Sequence, residues 1–234
     1  MHYLFSLTTL LISVSLCGQT AADYCKLGNK SNDVKDYQSA ILSFSKSIEL
    51  NPNDAKVYCS RGNSKYLSGD FKGATQDFAK AIDLAPKYPQ AYYGRGLTEH
   101  EMVDDKGAII DFTKAIELDS KYIMAYIKRG NSETIVGDYK EAIADYDIAI
   151  KLNPHDGGVY YDRANAKAKL EDYKGALQDF TTVIELNPKD GSSYINRGFC
   201  KDKLGDKKGA CSDWLKAKDL GNMDAYNLID QFCK

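Results

Sequence analysis

The sequence of 234 residues carries 31 Lys and Arg against 33 Asp and Glu, a formal net charge of -2, with 43% hydrophobic residues. A charge so close to balance gives no electrostatic ground for nucleic acid or an anionic membrane as the principal partner. The length suits one or two ordinary globular domains, a reading that an internal repeat overrides.

In chain order, the first segment stands apart. No Asp, Glu, Lys or Arg precedes Asp23, and YLFSLTTLLISVSL forms an apolar run. The run is short for a membrane span and lies just before the first predicted helix, so residues 1–20 read as an export signal, cleaved between Cys17 and Ala22. Its amino-terminal part is atypical, with only the terminal amine and His2 to supply positive charge. A lipoprotein signal with Cys17 as the lipid anchor is the alternative, although Leu16 is bulkier than the residue such signals carry there.

From Ala21 onward one phrase returns. GDFKGATQDFAKAIDLAP occupies 69–86, GDYKEAIADYDIAIKLNP 137–154 and EDYKGALQDFTTVIELNP 171–188. Gly69 and Gly137 are 68 apart and Glu171 follows 34 later, so the period is 34. Six blocks then run without a gap: 21–54, 55–88, 89–122, 123–156, 157–190 and 191–224. The fourth position is Tyr24, Tyr58, Tyr92, Tyr126, Tyr160 and Tyr194, on a first predicted helix. The eighth is Gly28, Gly62, Gly96, Gly130, Ala164 and Gly198, small enough for close approach of a second helix.

The sixteenth position is aspartate throughout (Asp36, Asp70, Asp104, Asp138, Asp172, Asp206), where a carboxylate caps the N–H groups opening a second helix. On that helix alanine recurs at twenty (Ala40, Ala74, Ala108, Ala142, Ala176, Ala210) and a ring at twenty-four (Phe44, Phe78, Phe112, Tyr146, Phe180, Trp214). Small residues facing large ones let two helices interlock, so each block is predicted to be a helical hairpin. Pro52, Pro86, Pro154 and Pro188 stop the second helix; Ser120 and Asn222 replace proline, so those two ends should be less sharply defined. After the last block, AYNLIDQFCK (225–234) offers Ala225, Leu228, Ile229 and Phe232 along one face, a terminal capping helix.

A 34-residue helix-turn-helix unit with an aromatic residue at 4, glycine at 8, alanine at 20 and 27, an aromatic at 24 and proline at 32 resembles the tetratricopeptide repeat. The resemblance covers 21–224, with local departures at Ser31, Ser47, Asp105 and Lys207. It implies an all-α fold, a right-handed α-solenoid of six helix-turn-helix repeats plus the capping helix, each repeat burying its apolar side against its neighbours.

Two side-chain patterns admit structural readings. Arg61, Arg95, Arg129, Arg163 and Arg197 recur at seven, and Asp77, Asp111, Asp145, Asp179 and Asp213 at twenty-three. An arginine ladder for phosphate or carboxylate is one reading. Because the first block lacks both, having Leu27 and Ser43, pairing inside each hairpin matches every charge and is preferred. Export would permit a disulfide between Cys211 and Cys233 stapling the cap, with Cys200 the competing partner and free buried thiols the alternative. Cys25 and Cys59, at five in consecutive blocks, are expected to lie too far apart to bridge.

Catalytic chemistry is sparse. Glu99, His100 and Glu101 are sequential and diverge around a helix, and neither a Cys-x-x-Cys pair, a phosphate-binding glycine loop nor a nucleophile elbow occurs. No catalytic residue, metal site or cofactor is expected, and the protein is not read as an enzyme.

The resemblance further implies a concave face lined by first helices, whose positions 2, 5, 6, 9, 12 and 13 commonly reach bound peptides. Carried over, these positions give Asn63, Tyr66, Tyr93, Leu97, Ile127, Asn131, Tyr161, Asn165, Ile195 and Phe199 as groove residues, with Asn29, Cys25, Cys59 and His100 at matching positions. Amides serve an extended backbone and rings its side chains, so the expected partner is a polypeptide segment. An asparagine at nine that merely ties neighbouring helices is the competing reading. Lysine at five, which the chaperone-binding subclass uses, is absent here, so a carboxylate clamp is not expected. The whole implies a non-enzymatic, exported scaffold, periplasmic or secreted, that assembles or regulates a cell-envelope complex. An RNA-binding helical-repeat protein and an accessory subunit of an enzyme complex are the alternatives.

Overall fold

In the computed structural model residues 19–233 are described; the expected signal and Cys17 fall outside them. All regular structure among the described residues is helical. The chain divides into two compact units, one up to Leu118 and one from Asp119.

In the first unit α1 (Ala21–Asp33) pairs with α2 (Tyr37–Leu50), α3 (Ala55–Leu67) with α4 (Phe71–Leu84), and α5 (Pro89–Glu101) with α6 (Asp105–Leu118). The hairpins stack because each central ring reaches into the next repeat. Phe44 packs with Ala40, Ile48 and Val57, while Phe78 packs with Ala74, Ala81, Cys59 and Ala91. A Cβ placed on Gly62 would sit 3.0 Å from the Phe78 ring and one on Gly94 2.4 Å from it, so the ring fills a slot between α3 and α5 that only bare backbone leaves open. The departure at Ser47 is accommodated by a hydrogen bond, its hydroxyl donating to the Ala21 carbonyl at 2.7 Å.

The second unit repeats the arrangement with α7 (Ile123–Val136) and α8 (Tyr139–Leu152), α9 (Gly157–Lys169) and α10 (Tyr173–Leu186), and α11 (Gly191–Lys203) and α12 (Lys207–Asp219). Phe180 packs among Ala164, Ala176 and Cys200. A final helix, α13 (Asp224–Phe232), lies on α12 and buries Ala225. There Phe232 stacks 5.7 Å from Trp214, whose indole N–H is satisfied by the Ile195 carbonyl at 3.2 Å.

The aspartates at sixteen cap α2, α4, α6, α10 and α12 through the N–H of Ser39, Gly73, Gly107, Gly175 and Gly209. Asp138 departs from the expected pattern and makes no side-chain cap on α8. The reason lies three residues on. In four repeats the carboxylate takes space left by a glycine, and in the first it caps past the small Ser39, whereas the fourth repeat carries Glu141, longer than either and of like charge. The expected blurring at Ser120 is likewise absent. α6 ends at Leu118, the same repeat position as Leu50, Leu84, Leu152 and Leu186, and Asp119 closes the turn by accepting from the Lys121 N–H at 3.0 Å.

Candidate functional site

The recurrent charges lie inside the hairpins. Arg61 Nε and Nη2 donate to Asp77 Oδ2 and Oδ1 at 2.8 and 2.7 Å. The same two-pronged bond joins Arg95 to Asp111, Arg129 to Asp145, Arg163 to Asp179 and Arg197 to Asp213. Each guanidinium also lies over the tyrosine three residues before it, from 5.4 Å at Tyr160 to 5.9 Å at Tyr92. The tyrosine column, legible in sequence only as a pattern, is the platform on which the arginine rests.

A third column escaped the sequence reading. At position eleven Lys65, Lys167 and Lys201 each reach the aspartate of their own hairpin at 2.8 Å. Glu99 and Glu133 replace lysine in the two middle repeats, 3.9 and 3.8 Å from Arg95 and Arg129, and each leaves its Oε2 buried without a hydrogen-bond partner. The departure at Asp105 has a partner as well. His100 Nδ1 meets its carboxylate at 2.6 Å, where the repeat before stacks Tyr66 on Phe71 at 5.8 Å.

In the first unit Asn63 is exposed, while Tyr66, Tyr93 and Leu97 are half-buried. The Tyr66 hydroxyl donates to Glu101 at 3.3 Å, and the Tyr93 ring tilts against Phe112 at 5.8 Å. In the second unit Ile127 is buried and presents little surface, and Asn131 accepts from the Tyr146 hydroxyl at 2.8 Å, so its carbonyl serves the hairpin. Phe180 has no hydroxyl to offer Asn165. That amide instead lines a recess of about 390 Å³ with Asn196, Tyr173 and Phe199. Phe199 is 45% exposed and Ile195 half-buried. The Asn196 amide donates to the Tyr161 hydroxyl at 2.9 Å, bridging α9 and α11 across the floor of this face. Asn196 was not among the expected groove residues, and its alternation with Asp162, Lys128 and Ser60 at position six hid it.

Cys211 and Cys233 form a disulfide with Cα atoms 5.7 Å apart, joining α12 to the chain just past α13. Cys200 is buried in the hairpin core and its thiol is pushed up to about 11 by burial, so it is unreactive. Among the described residues no group of three or more His, Cys, Asp or Glu is placed to hold a metal ion, and no helix is long and apolar enough to cross a membrane.

No curated protein matches the chain. Family profiles do: one described as a TPR repeat over residues 62–103, and two described as tetratricopeptide repeats over 89–122 and 128–191. Among solved structures the chain is similar to YrrB, described as a TPR protein with an unusual peptide-binding site, at 23% identity and a TM-score of 0.74, covering 80% of this chain and 97% of that one. MamA from Desulfovibrio magneticus RS-1 aligns at 20% identity and a TM-score of 0.68 over 71% of this chain and 94% of its own. A tetratricopeptide repeat protein from Parabacteroides merdae aligns at 21% identity and a TM-score of 0.64 over 97% and 90%. At these identities the likeness is one of fold. Hairpins in 34-residue register, rings seated on glycines, and profile matches within both units converge: the chain belongs to the tetratricopeptide repeat family.

Proposed function

We propose that the protein is a non-enzymatic interaction scaffold that holds a polypeptide segment against its first helices. The observation that carries this reading is the recess on α9 and α11, lined by both the amide of Asn165 and the ring of Phe199, which meets Tyr173 edge-on at 6.2 Å and is still 45% exposed. Amides exchange hydrogen bonds with an extended backbone, and an aromatic wall shelters an apolar side chain. YrrB, with its peptide-binding site, supports the same direction.

Export is part of the proposal. The charge-free apolar amino terminus and the Cys211–Cys233 disulfide both suit an oxidising compartment, periplasmic or extracellular, with attachment through Cys17 as the lipid-anchored variant. Assembly or regulation of a cell-envelope complex follows as the role of such a scaffold. Co-purification from the native cell tests the binding reading. Asn165→Ala with Phe199→Ala should remove the bound polypeptide while leaving the thermal midpoint within about 2 °C, a tolerance suited to partly exposed positions. An unchanged set of partners would move the site off this face.

A further inference from the structure

A second recess opens on the same unit, on the other side of the Tyr161–Asn196 bridge. It has a volume of about 550 Å³ and is walled by His155, Tyr161, Val183 and Leu186, with the carboxylates of Asp162 and Asp190 supplying its negative charge. Gly157 and Gly158 begin α9 without side chains, and an added Cβ on Gly157 would meet nothing nearer than Leu186 at 3.7 Å, so the entrance stays open. Asp190 is committed, accepting from the Ser192 N–H and the Ser193 hydroxyl. Asp162 is half-buried; burial raises its carboxyl, and Lys128 opposes that shift without closing to an ion pair.

The corresponding recess at the first repeat junction is lined by Cys25 and Lys26 where this one has Tyr161 and Asp162. Position six therefore carries opposite charge at these two junctions, Lys26 at the first and Asp162 here. A slot with apolar walls and a half-buried carboxylate in its lining fits a long aliphatic stem ending in a cation.

We propose that this recess receives a lysine or arginine side chain of the bound polypeptide, with Asp162 as the residue that selects it. The inference rests on the groove reading above. It adds a chemical class to it: a segment with a basic side chain in the Asp162 recess and an apolar one in the Asn165–Phe199 recess across the bridge.

The test is binding of the full chain to an immobilised positional-scanning library of acetylated octapeptide amides, each position fixed in turn as Arg, Lys, Gln, Glu or Leu. At one position Arg or Lys should exceed Gln at least fivefold. Asp162→Asn should bring that ratio to within twofold, and Asp162→Lys, which copies the Lys26 pattern, should turn the preference toward Glu. Thermal midpoints of both variants identify any loss of fold. Peptides bound without a basic preference, or with one that Asp162→Asn leaves intact, would overturn this inference while the groove reading stood. A correctly folded chain that binds no member of the library would overturn both.

Discussion

Glu133 Oε1 lies 3.8 Å from Arg129 Nε, while Oε2 of the same carboxylate is buried with no hydrogen-bond partner. Burial first, and then the neighbouring Asp145 carboxylate, push this carboxyl up to about 7, with Arg129 opposing. Burial and Asp111 do the same to Glu99, also to about 7, against Arg95. A glutamate whose folded value is raised from the ordinary 4.5 holds a proton in the folded chain that the unfolded chain releases. Its contribution to stability is therefore full below about pH 4.5, declines as pH rises toward 7, and is level above that. Denaturant midpoints should be higher at pH 5 than at pH 8, and the difference should shrink in the Glu99→Gln, Glu133→Gln chain. An undiminished difference would assign the effect to other groups. Glu133→Lys, which copies the Lys65 to Asp77 arrangement, should add about 1–2 kcal/mol at pH 8.

The arginine–aspartate bond should be strongly non-additive. Asp145 is 3% exposed, so Arg129→Leu leaves a buried carboxylate without its partner, at about 3 kcal/mol. Replacing both residues with the first repeat's Leu27 and Ser43 pair, as Arg129→Leu with Asp145→Ser, removes charge and partner together and should cost less than the single change. A double-mutant cycle measures the difference. Equal or greater loss in the double variant would contradict a pair that chiefly matches charge.

Every hairpin turn places position fifteen in the left-handed region. Gly69, Gly137 and Gly205 meet that demand freely, but Lys35, Val103 and Glu171 hold φ near +60°. Val103 is the most strained in kind, being β-branched, and its side chain is 83% exposed with little packing to lose. Val103→Gly should stabilise the chain by about 0.5–1 kcal/mol, strain relief exceeding the added freedom of the unfolded chain. Gly205→Val should destabilise by about the same amount. Equilibrium denaturation of the two variants checks the pair.

Much of this was legible in the sequence because repetition turns one helical pattern into six concurrent readings. The ring at twenty-four and the small residue at eight lie on one packed interface, so Phe78 and Gly62 announced each other, and Arg61 with Asp77 did so through the absence of both from the first block. What escaped was combinatorial. Asp138 looks like the other caps until Glu141 is set beside it, and Glu133 has meaning only against the lysines of sister repeats. Asn131 and Asn165 are the same letter at the same position, yet the hydroxyl of Tyr146 occupies one and the bare ring of Phe180 frees the other.

The terminal helix should depend on its covalent link. Reducing Cys211–Cys233, or Cys233→Ser, releases the end of a segment of 22 residues and should lower stability by about 3 kcal/mol. The loss should begin locally. Amide protection should fall first over α13, and Trp214 emission should change as Phe232 leaves its ring, before the hairpins melt. Uniform loss of protection along the chain would show that the helix is not a separate cap.

The central claim, that the first helices of the second unit grip a polypeptide, is tested most directly by mapping contact on the isotopically labelled chain. Amide and side-chain shifts would be recorded while the co-purified polypeptide is titrated in. The expected result is perturbation concentrated at Tyr161, Asn165, Asn196 and Phe199, absent from exposed positions of the second helices such as Ile148 and Leu215. Perturbation confined to the second helices, with Asn165 and Phe199 unmoved at saturation, would contradict it.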